Sequence, residues 1–159
     1  MADDEGEQLA GDERLALPAG DSSAQRAAES VILAQASEVL GATLEPRRLY
    51  LADGVRIEVD GVCDEPPTLC EVWAHQGPAK TAQSHKVLHD ALKLFVAGRA
   101  LATHPRLILV FAHPLAAARF TGRSWYAHAL RDLSVEVLVV DIPDDLRDQI
   151  RAAQTRQFR

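Results

Sequence analysis

Two largely apolar segments in the second half of the chain constrain its fold more than any other feature. They are Arg106–Ala112, which reads RLILVFA, and Val135–Val140, which reads VEVLVV. Strands of this kind are covered on both faces, as happens when helices pack on both sides of a partly parallel sheet. A helix from His113-Pro114 to about Arg131 is predicted between them, and a last helix begins at Pro143. These segments predict an α/β domain.

The first half of the chain predicts a helix, three strands and a second helix. Ser22 or Ser23 caps the first helix, which ends at Gly41, and the second helix runs from Gly77-Pro78 to about Thr103. The whole order predicts a single three-layer α/β/α domain over residues 23–159, with a mixed sheet of about five strands. The three strands, joined by turns at Asp53-Gly54 and at residues 63–67, are Arg47–Ala52, Val55–Val62 and Thr68–His75.

The acidity of the chain is concentrated at its N-terminus. Seven of the 23 acidic residues and one of the 17 basic residues lie in residues 1–22, which leaves sixteen of each elsewhere. We expect residues 1–22 to be a disordered acidic tail attached to an electrically neutral domain. Such a domain neither selects nor excludes a nucleic-acid partner.

Hydropathy and cysteine content indicate the compartment. No apolar run approaches the ~18 residues that a membrane span needs, and the acidic N-terminus does not resemble a secretory signal. The two cysteines, Cys63 and Cys70, are too few for a disulfide framework. We therefore expect a cytoplasmic protein that has no membrane partner.

The hairpin formed by the second and third strands carries the clearest chemical pattern. If its turn is centred between Glu65 and Pro66, facing residues have numbers that sum to 131, as Asp60 and Glu71 do. Their side chains would leave the same face with Cβ atoms ~5 Å apart, and facing like charges are destabilising. A divalent cation such as Mg²⁺, which prefers oxygen ligands, explains the pair. The alternative is that one acid pairs with Arg56 or points to solvent.

The order helix, three strands, helix, strand, with Asp60 on the second strand and Glu71 on the third, resembles the restriction-endonuclease-like PD-(D/E)XK nuclease superfamily over roughly residues 23–140. The resemblance implies a restriction-endonuclease-like fold in which Asp60 and Glu71 are catalytic acids that hold Mg²⁺ or Mn²⁺. It further implies that the Val72 carbonyl is a metal ligand and that Glu38 is the acid on the first helix. The chain departs from the family motif at Trp73, where the family has lysine.

A lysine from the following helix is the expected replacement. The three lysines of the chain are Lys80, Lys86 and Lys93. At about 100° per residue, Lys80 falls on the apolar face of that helix, near the end of the Glu71 strand, whereas the other two face water. We therefore expect Lys80 to be the relocated catalytic lysine, which orients the attacking water or neutralises the transition state. The alternative is a lysine whose stem covers apolar surface.

Weaker candidates surround this site. Gln83 and His75 are candidate accessory residues, although Gln83 also fits a helix-edge amide. Arg119 and Arg123, beside two aromatic residues, are candidate contacts for a nucleic-acid backbone, although a helix end with core aromatics is commoner. A zinc site formed by His75, His85 and His89 is disfavoured because the last two project from the polar side of their helix.

The sequence therefore predicts a metal-dependent nuclease, or a protein derived from one, that acts on nucleic acid, DNA in preference to RNA. A homodimer would let so small a domain engage both strands of a duplex. The alternative is a catalytically inactive module of the same family that binds nucleic acid or a protein. Asp60, Glu71 and Lys80 favour activity, whereas Trp73 and the modest basic content favour the inactive module.

Overall fold

The computed structural model describes residues 19–157, which form a five-stranded mixed sheet with helices on both faces. The first helix begins at Ala19, earlier than the expected cap, and residues 1–18 of the expected acidic tail lie outside the described residues. In chain order the elements are α1 (Ala19–Leu40), β1 (Glu45–Tyr50), β2 (Arg56–Cys63), β3 (Thr68–Trp73), α2 (Thr81–Ala100), β4 (Arg106–Phe111), α3 (Pro114–Thr121), α4 (Trp125–Asp132), β5 (Val135–Val139) and α5 (Asp144–Arg156).

The sheet order follows the chain order, β1-β2-β3-β4-β5. β1, β2 and β3 form an antiparallel meander, whereas β3, β4 and β5 are parallel to one another. Parallel neighbours need crossover connections, and α2 provides the first while α3 and α4 provide the second. The prediction of a mixed α/β sheet of about five strands is confirmed.

Each face of the sheet packs against its own group of helices. Leu107 and Leu109 of β4 belong to a core cluster that contains residues of α2, α3 and α4. Ile108 and Val110, which point the other way, belong to a second cluster that contains residues of α1 and α5. Because β4 is covered on both sides, successive residues are apolar, which is why the segment RLILVFA lacks alternation.

The region after β4 differs from the sequence-based expectation, because two short helices replace the single helix predicted from His113-Pro114 to Arg131. The loop between α3 and α4 contains Gly122 and Ser124. Ser124 has extended backbone angles, and its hydroxyl accepts a hydrogen bond from the backbone N–H of Ala127 at 3.1 Å. This N-cap starts a new helix where a continuous one was expected.

The register of the β2–β3 hairpin agrees with the sequence-based prediction. The observed pairs are Gly61 with Cys70, Val62 with Leu69 and Cys63 with Thr68, and the numbers in each pair sum to 131. The same register, continued by one residue, pairs Asp60 with Glu71. The turn between the strands contains a cis peptide bond between Glu65 and Pro66.

A β-bulge in β2 changes the direction of the strand at Asp60. Between the pairs Arg47–Val59 and Glu45–Val62, β1 has one intervening residue, whereas β2 has two, Asp60 and Gly61. A bulge bends its strand and re-aims a side chain, and bulges are common beside active sites. Asp60 is therefore one of the two bulge residues and adjoins the last pair of the β2–β3 ladder, Gly61–Cys70.

Gly61, the second residue of this bulge, allows close packing between the sheet and α1. A Cβ at this position would lie 2.5 Å from the Cys70 Sγ and 2.6 Å from the Leu33 Cδ1. We predict that Gly61→Ala lowers the free energy of unfolding by about 1–3 kcal/mol, because the core must shift to admit the methyl group. Urea denaturation measures this change.

The matched control is Gly122→Ala, because Gly122 is exposed and its nearest contact would be a comfortable 3.6 Å from the new Cβ. We expect this variant to change the free energy of unfolding by less than about 0.5 kcal/mol. Equal stability of Gly61→Ala and the original protein would contradict the packing described here.

Candidate functional site

Asp60 and Glu71 are joined by hydrogen bonds that cross between the two strands. The β2–β3 ladder ends at the pair Gly61–Cys70. Beyond it, the Asp60 Oδ2 accepts a hydrogen bond from the Val72 N–H at 2.9 Å, and the Glu71 Oε1 accepts one from the Asp60 N–H at 3.3 Å. Each carboxylate therefore binds a backbone group of the opposite strand, and this exchange fixes the two acids beside each other.

The ammonium group that meets this pair belongs to Lys93. Its Nζ lies 2.8 Å from the Glu71 Oε2, and its side chain is 25% exposed. The expectation that Lys93 faces water is wrong. Its position on a helical wheel describes the start of the side chain, whereas the long aliphatic stem carries the charged end back over the edge of the apolar face.

Lys80 does not reach this site. It is exposed, it is not among the described residues that line the cavity around the acids, and its N–H donates to the Gln83 Oε1 at 2.8 Å. The physical reason is the start of α2, which begins at Thr81 and not at Gly77-Pro78. Lys80 therefore precedes the helix, and a helical wheel does not describe its direction.

A polar stripe on α2 lines the cavity. It consists of Gln83, Lys86, Asp90 and Lys93, which recur every three or four residues and so lie on one side of the helix. The Lys86 Nζ lies 5.4 Å from the centre of the Trp73 ring. The spacing of the stripe was visible in the sequence and could have identified Lys86 and Lys93 as site residues.

The acid that α1 contributes is Glu29 and not Glu38. Glu29 is partly buried and lines the cavity, whereas Glu38 is exposed and does not. Burial raises the pKa of Glu29, a hydrogen bond from Gln25 at 2.9 Å lowers it, and the charge of Asp60 raises it. A helical wheel of α1 could have found it, because Glu29 lies about 60° from the buried Ile32 and Glu38 about 120° away.

The cavity is open and has a volume of about 1020 Å³. Its walls come from α1, the adjoining parts of β2 and β3, α2 and α5. Asp60, Glu71, Val72, His75 and Gln83 of the sequence-based candidates line it.

His75 and Gln83 engage each other inside this cavity. The Gln83 Nε2 lies 3.1 Å from the His75 Nδ1, and the His75 Nε2 lies 3.4 Å from the Pro78 carbonyl. Burial lowers the pKa of His75, the Pro78 carbonyl raises it, and the charge of Lys80 lowers it. Because both ring nitrogens have partners, this arrangement fits a structural support for Gln83 better than a general base.

The remaining candidates lie elsewhere. Arg119 donates to the Ser84 hydroxyl at 2.9 Å and lies over the Tyr126 ring, and neither Arg119 nor Arg123 is among the described residues that line the cavity. His85 and His89 are exposed. Within residues 19–157, no three histidine, cysteine, aspartate or glutamate side chains form a metal-binding group, so the zinc alternative has no support there.

Burial and charge make Glu71 an unusual acid. It is 4% exposed, and its pKa is raised to about 8, first by burial and then by the charge of Asp60, against the opposing effect of Lys93. Burial, with the charges of Asp60 and Glu71, also raises the pKa of the Cys70 thiol to about 12. Burial, and after it the negative charge of Asp60, thus opposes ionisation of Glu71.

The donors present fit a hard divalent cation. Mg²⁺ is commonly bound through only one or two carboxylates and keeps several waters, so it does not need a larger group of side-chain ligands. Asp60 and Glu71 supply the two carboxylates, which the hydrogen bonds described above hold beside each other, and the Val72 carbonyl stays a predicted third ligand. The charge of Asp60 is the second cause, after burial, of the raised pKa of Glu71, and a bound cation would offset that charge.

Comparisons of the chain with protein-family models, with curated proteins and with solved structures find no match. Among residues 19–157, none of the helices has the length and hydrophobicity needed to cross a bilayer. A relationship to the PD-(D/E)XK superfamily stays a prediction from the order of the elements and from Asp60 and Glu71.

The raised pKa of Glu71 predicts how stability depends on pH. Because the folded pKa of about 8 exceeds the ordinary glutamate pKa of 4.5, folding favours the protonated acid. This contribution is complete below the unfolded pKa and is lost as the pH rises through 8. We predict that Glu71→Gln flattens the decline in unfolding free energy between about pH 5 and 8, which urea denaturation at each pH measures.

Glu38→Gln is the control, because Glu38 is an exposed glutamate outside the cavity. We expect it to keep the pH dependence of the original protein. Identical pH profiles for Glu71→Gln and Glu38→Gln would contradict the environment assigned to Glu71.

Proposed function

We propose that this protein is a metal-dependent nuclease of restriction-endonuclease-like fold that hydrolyses phosphodiester bonds in DNA. The observation that carries the proposal is the pair of hydrogen bonds between β2 and β3, in which the Asp60 carboxylate accepts from the Val72 N–H and the Glu71 carboxylate accepts from the Asp60 N–H, with the Lys93 ammonium on Glu71. Two acids from neighbouring strands and one lysine are the groups that metal-assisted phosphodiester hydrolysis requires.

In this proposal Asp60, Glu71 and the Val72 carbonyl hold Mg²⁺ or Mn²⁺. Such a cation, when bound, activates a water molecule for attack and stabilises negative charge on the phosphate oxygens. The chain contributes preorganisation, because the backbone N–H of Val72 fixes the Asp60 carboxylate and that of Asp60 fixes the Glu71 carboxylate. The acids therefore need little rearrangement when substrate binds.

The lysine missing at position 73 is replaced from α2. Lys93 is held beside Glu71 by an ion pair at 2.8 Å, so its ammonium group can orient the attacking water or balance the charge of the phosphate. Lys86 and Arg156 also line the cavity. Against these three basic side chains the described lining residues include four acids, Glu29, Asp60, Glu71 and Asp90, so a bound cation would be needed to offset the acids before a phosphate backbone approaches.

The principal alternative is an inactive relative that binds nucleic acid or a protein. Its support is that Lys93 already compensates the charge of Glu71 and that Trp73 occupies the lysine position of the family motif. A homodimer that cuts both strands of a duplex stays a prediction.

Cleavage of DNA is the direct test. Purified protein with Mg²⁺ or Mn²⁺ should cut plasmid or linear duplex DNA, and Asp60→Ala should reduce cutting to background because a metal ligand is lost. Lys93→Met should lower the rate by roughly 100-fold, a typical cost of losing one charge-stabilising group. Gel-based cleavage rates measure both effects, with RNA as a parallel substrate.

Lys80→Met is the matched control for Lys93→Met, because Lys80 is an exposed lysine outside the cavity. It should cut at nearly the original rate. Cutting that survives Asp60→Ala would contradict the proposed site, and persistent inactivity on all substrates would favour the binding module.

Metal binding gives a test that does not depend on activity. A ligand that binds only the folded state raises its stability by RT ln(1 + L/Kd), where L is the free ligand concentration, so millimolar Mg²⁺ should raise the melting temperature. The rise should disappear in Asp60→Ala and persist in Glu38→Gln. An equal rise in Asp60→Ala would contradict a metal site at the two acids.

A further inference from the structure

Trp73 is an aromatic ring fixed by the core behind it. It stacks on Phe111, with ring centres 6.5 Å apart, and Phe111 stacks on Phe120 at 5.6 Å. Phe111 and Phe120 are 1% and 2% exposed. Close-packed neighbours of this kind hold the indole in place while Trp73 still lines the cavity.

The ring carries the ammonium group of Lys86. The Lys86 Nζ lies 5.4 Å from the ring centre, within the ~6 Å range of a cation–π contact. Lys93 pairs with a carboxylate, whereas Lys86 has no carboxylate within ion-pair distance among the described residues. A ring holds a cation without neutralising it, so the Lys86 ammonium, whose charge also acts on Glu29 in the same cavity, stays available to an anionic ligand.

The choice of tryptophan at position 73 needs an explanation. Its indole Nε1 is buried and has no hydrogen-bond partner among the described residues. An unpaired buried N–H costs stability, and a phenylalanine would pack against Phe111 without that cost. What tryptophan adds is the strongest attraction for a cation among the aromatic rings. The unpaired N–H therefore indicates that tryptophan is present at position 73 because its ring face binds a cation.

We propose that Trp73 is a positioning residue that holds the Lys86 ammonium over the cavity, where it contacts a phosphate group of bound DNA. Trp73 of β3 and Lys86 of α2 together place one ammonium group at the cavity, as a lysine at position 73 would do alone. This inference rests on the proposed function, because DNA is the ligand of the same cavity. Trp73 acts through Lys86, and Lys86 makes the phosphate contact.

The test is a double-mutant cycle measured by DNA binding in EDTA, where no cleavage occurs. The probe is a fluorescein-labelled 20-base-pair duplex followed by fluorescence anisotropy. Lys86→Met should weaken binding about 10-fold and reduce the slope of log affinity against log salt by about 0.9, the loss of one phosphate contact. Trp73→Leu should weaken binding, and Trp73→Phe, which keeps a ring, should restore much of the affinity.

The decisive variant is the double substitution of Trp73→Leu and Lys86→Met. If Trp73 acts through Lys86, the double variant binds no more weakly than Lys86→Met alone. A purely structural tryptophan would add its own loss of affinity and would leave the salt dependence unchanged. Urea denaturation of each variant separates loss of folding from loss of the contact.

Arg99→Met is the matched control. Arg99 lies over the Phe95 ring at 5.7 Å on the same helix, but it is not among the described residues that line the cavity. Its loss removes one cation–π contact and one positive charge, and it should leave DNA affinity within about twofold of the original, because a surface charge away from the ligand contributes little.

Three results would overturn the inference: no binding of the duplex by the original protein, equal effects of Lys86→Met and Arg99→Met, or additive losses in the double variant. Failure of the nuclease proposal is distinguishable from these. If the double-mutant cycle shows that Trp73 acts through Lys86 but the protein cuts no DNA with any metal, the inference is supported and only the proposal of catalysis fails.

Discussion

The hydrogen bond from the Val72 N–H to the Asp60 carboxylate is the interaction on which the candidate site depends. It replaces the backbone pairing that would otherwise continue beyond Gly61 and Cys70. A regular ladder would have left two acids facing each other with no fixed position. The Asp60 side chain takes the place of a backbone acceptor at this point. The bulge in β2, the end of the β2–β3 ladder and the position of Glu71 beside Asp60 are therefore parts of one local structure.

The charges around this structure are arranged on separate elements. The sheet supplies Asp60 and Glu71, α1 adds Glu29, and α2 adds Lys86, Asp90 and Lys93. Each lysine meets a different β3 residue on the same face, so Lys93 is paired with Glu71 while Lys86 lies over Trp73. Lys93 is thus engaged by Glu71, whereas Lys86 lies over a ring beside a concave surface, which is the arrangement that the proposed contact with a phosphate backbone needs.

The sequence predicted those parts of the molecule that depend on backbone pattern. The apolar runs indicated the parallel strands, and the turn at Glu65 and Pro66 set the register that aligns Asp60 with Glu71. The sequence did not predict that Lys93, and not Lys80, meets the acids. The identity of this lysine depended on the start of α2 at Thr81 and on the reach of a flexible side chain. Glu29 was detectable from helical spacing, but the family pattern directed attention to Glu38.

The central claim is that two acids of neighbouring strands form one cation site. Anomalous diffraction from crystals soaked with Mn²⁺ tests it most directly, because the signal locates the ion independently of the protein atoms. The account predicts one anomalous peak roughly 2.0–2.3 Å from carboxylate oxygens of both Asp60 and Glu71, as oxygen ligands of such ions require. Strong manganese peaks elsewhere with none between these acids would contradict it.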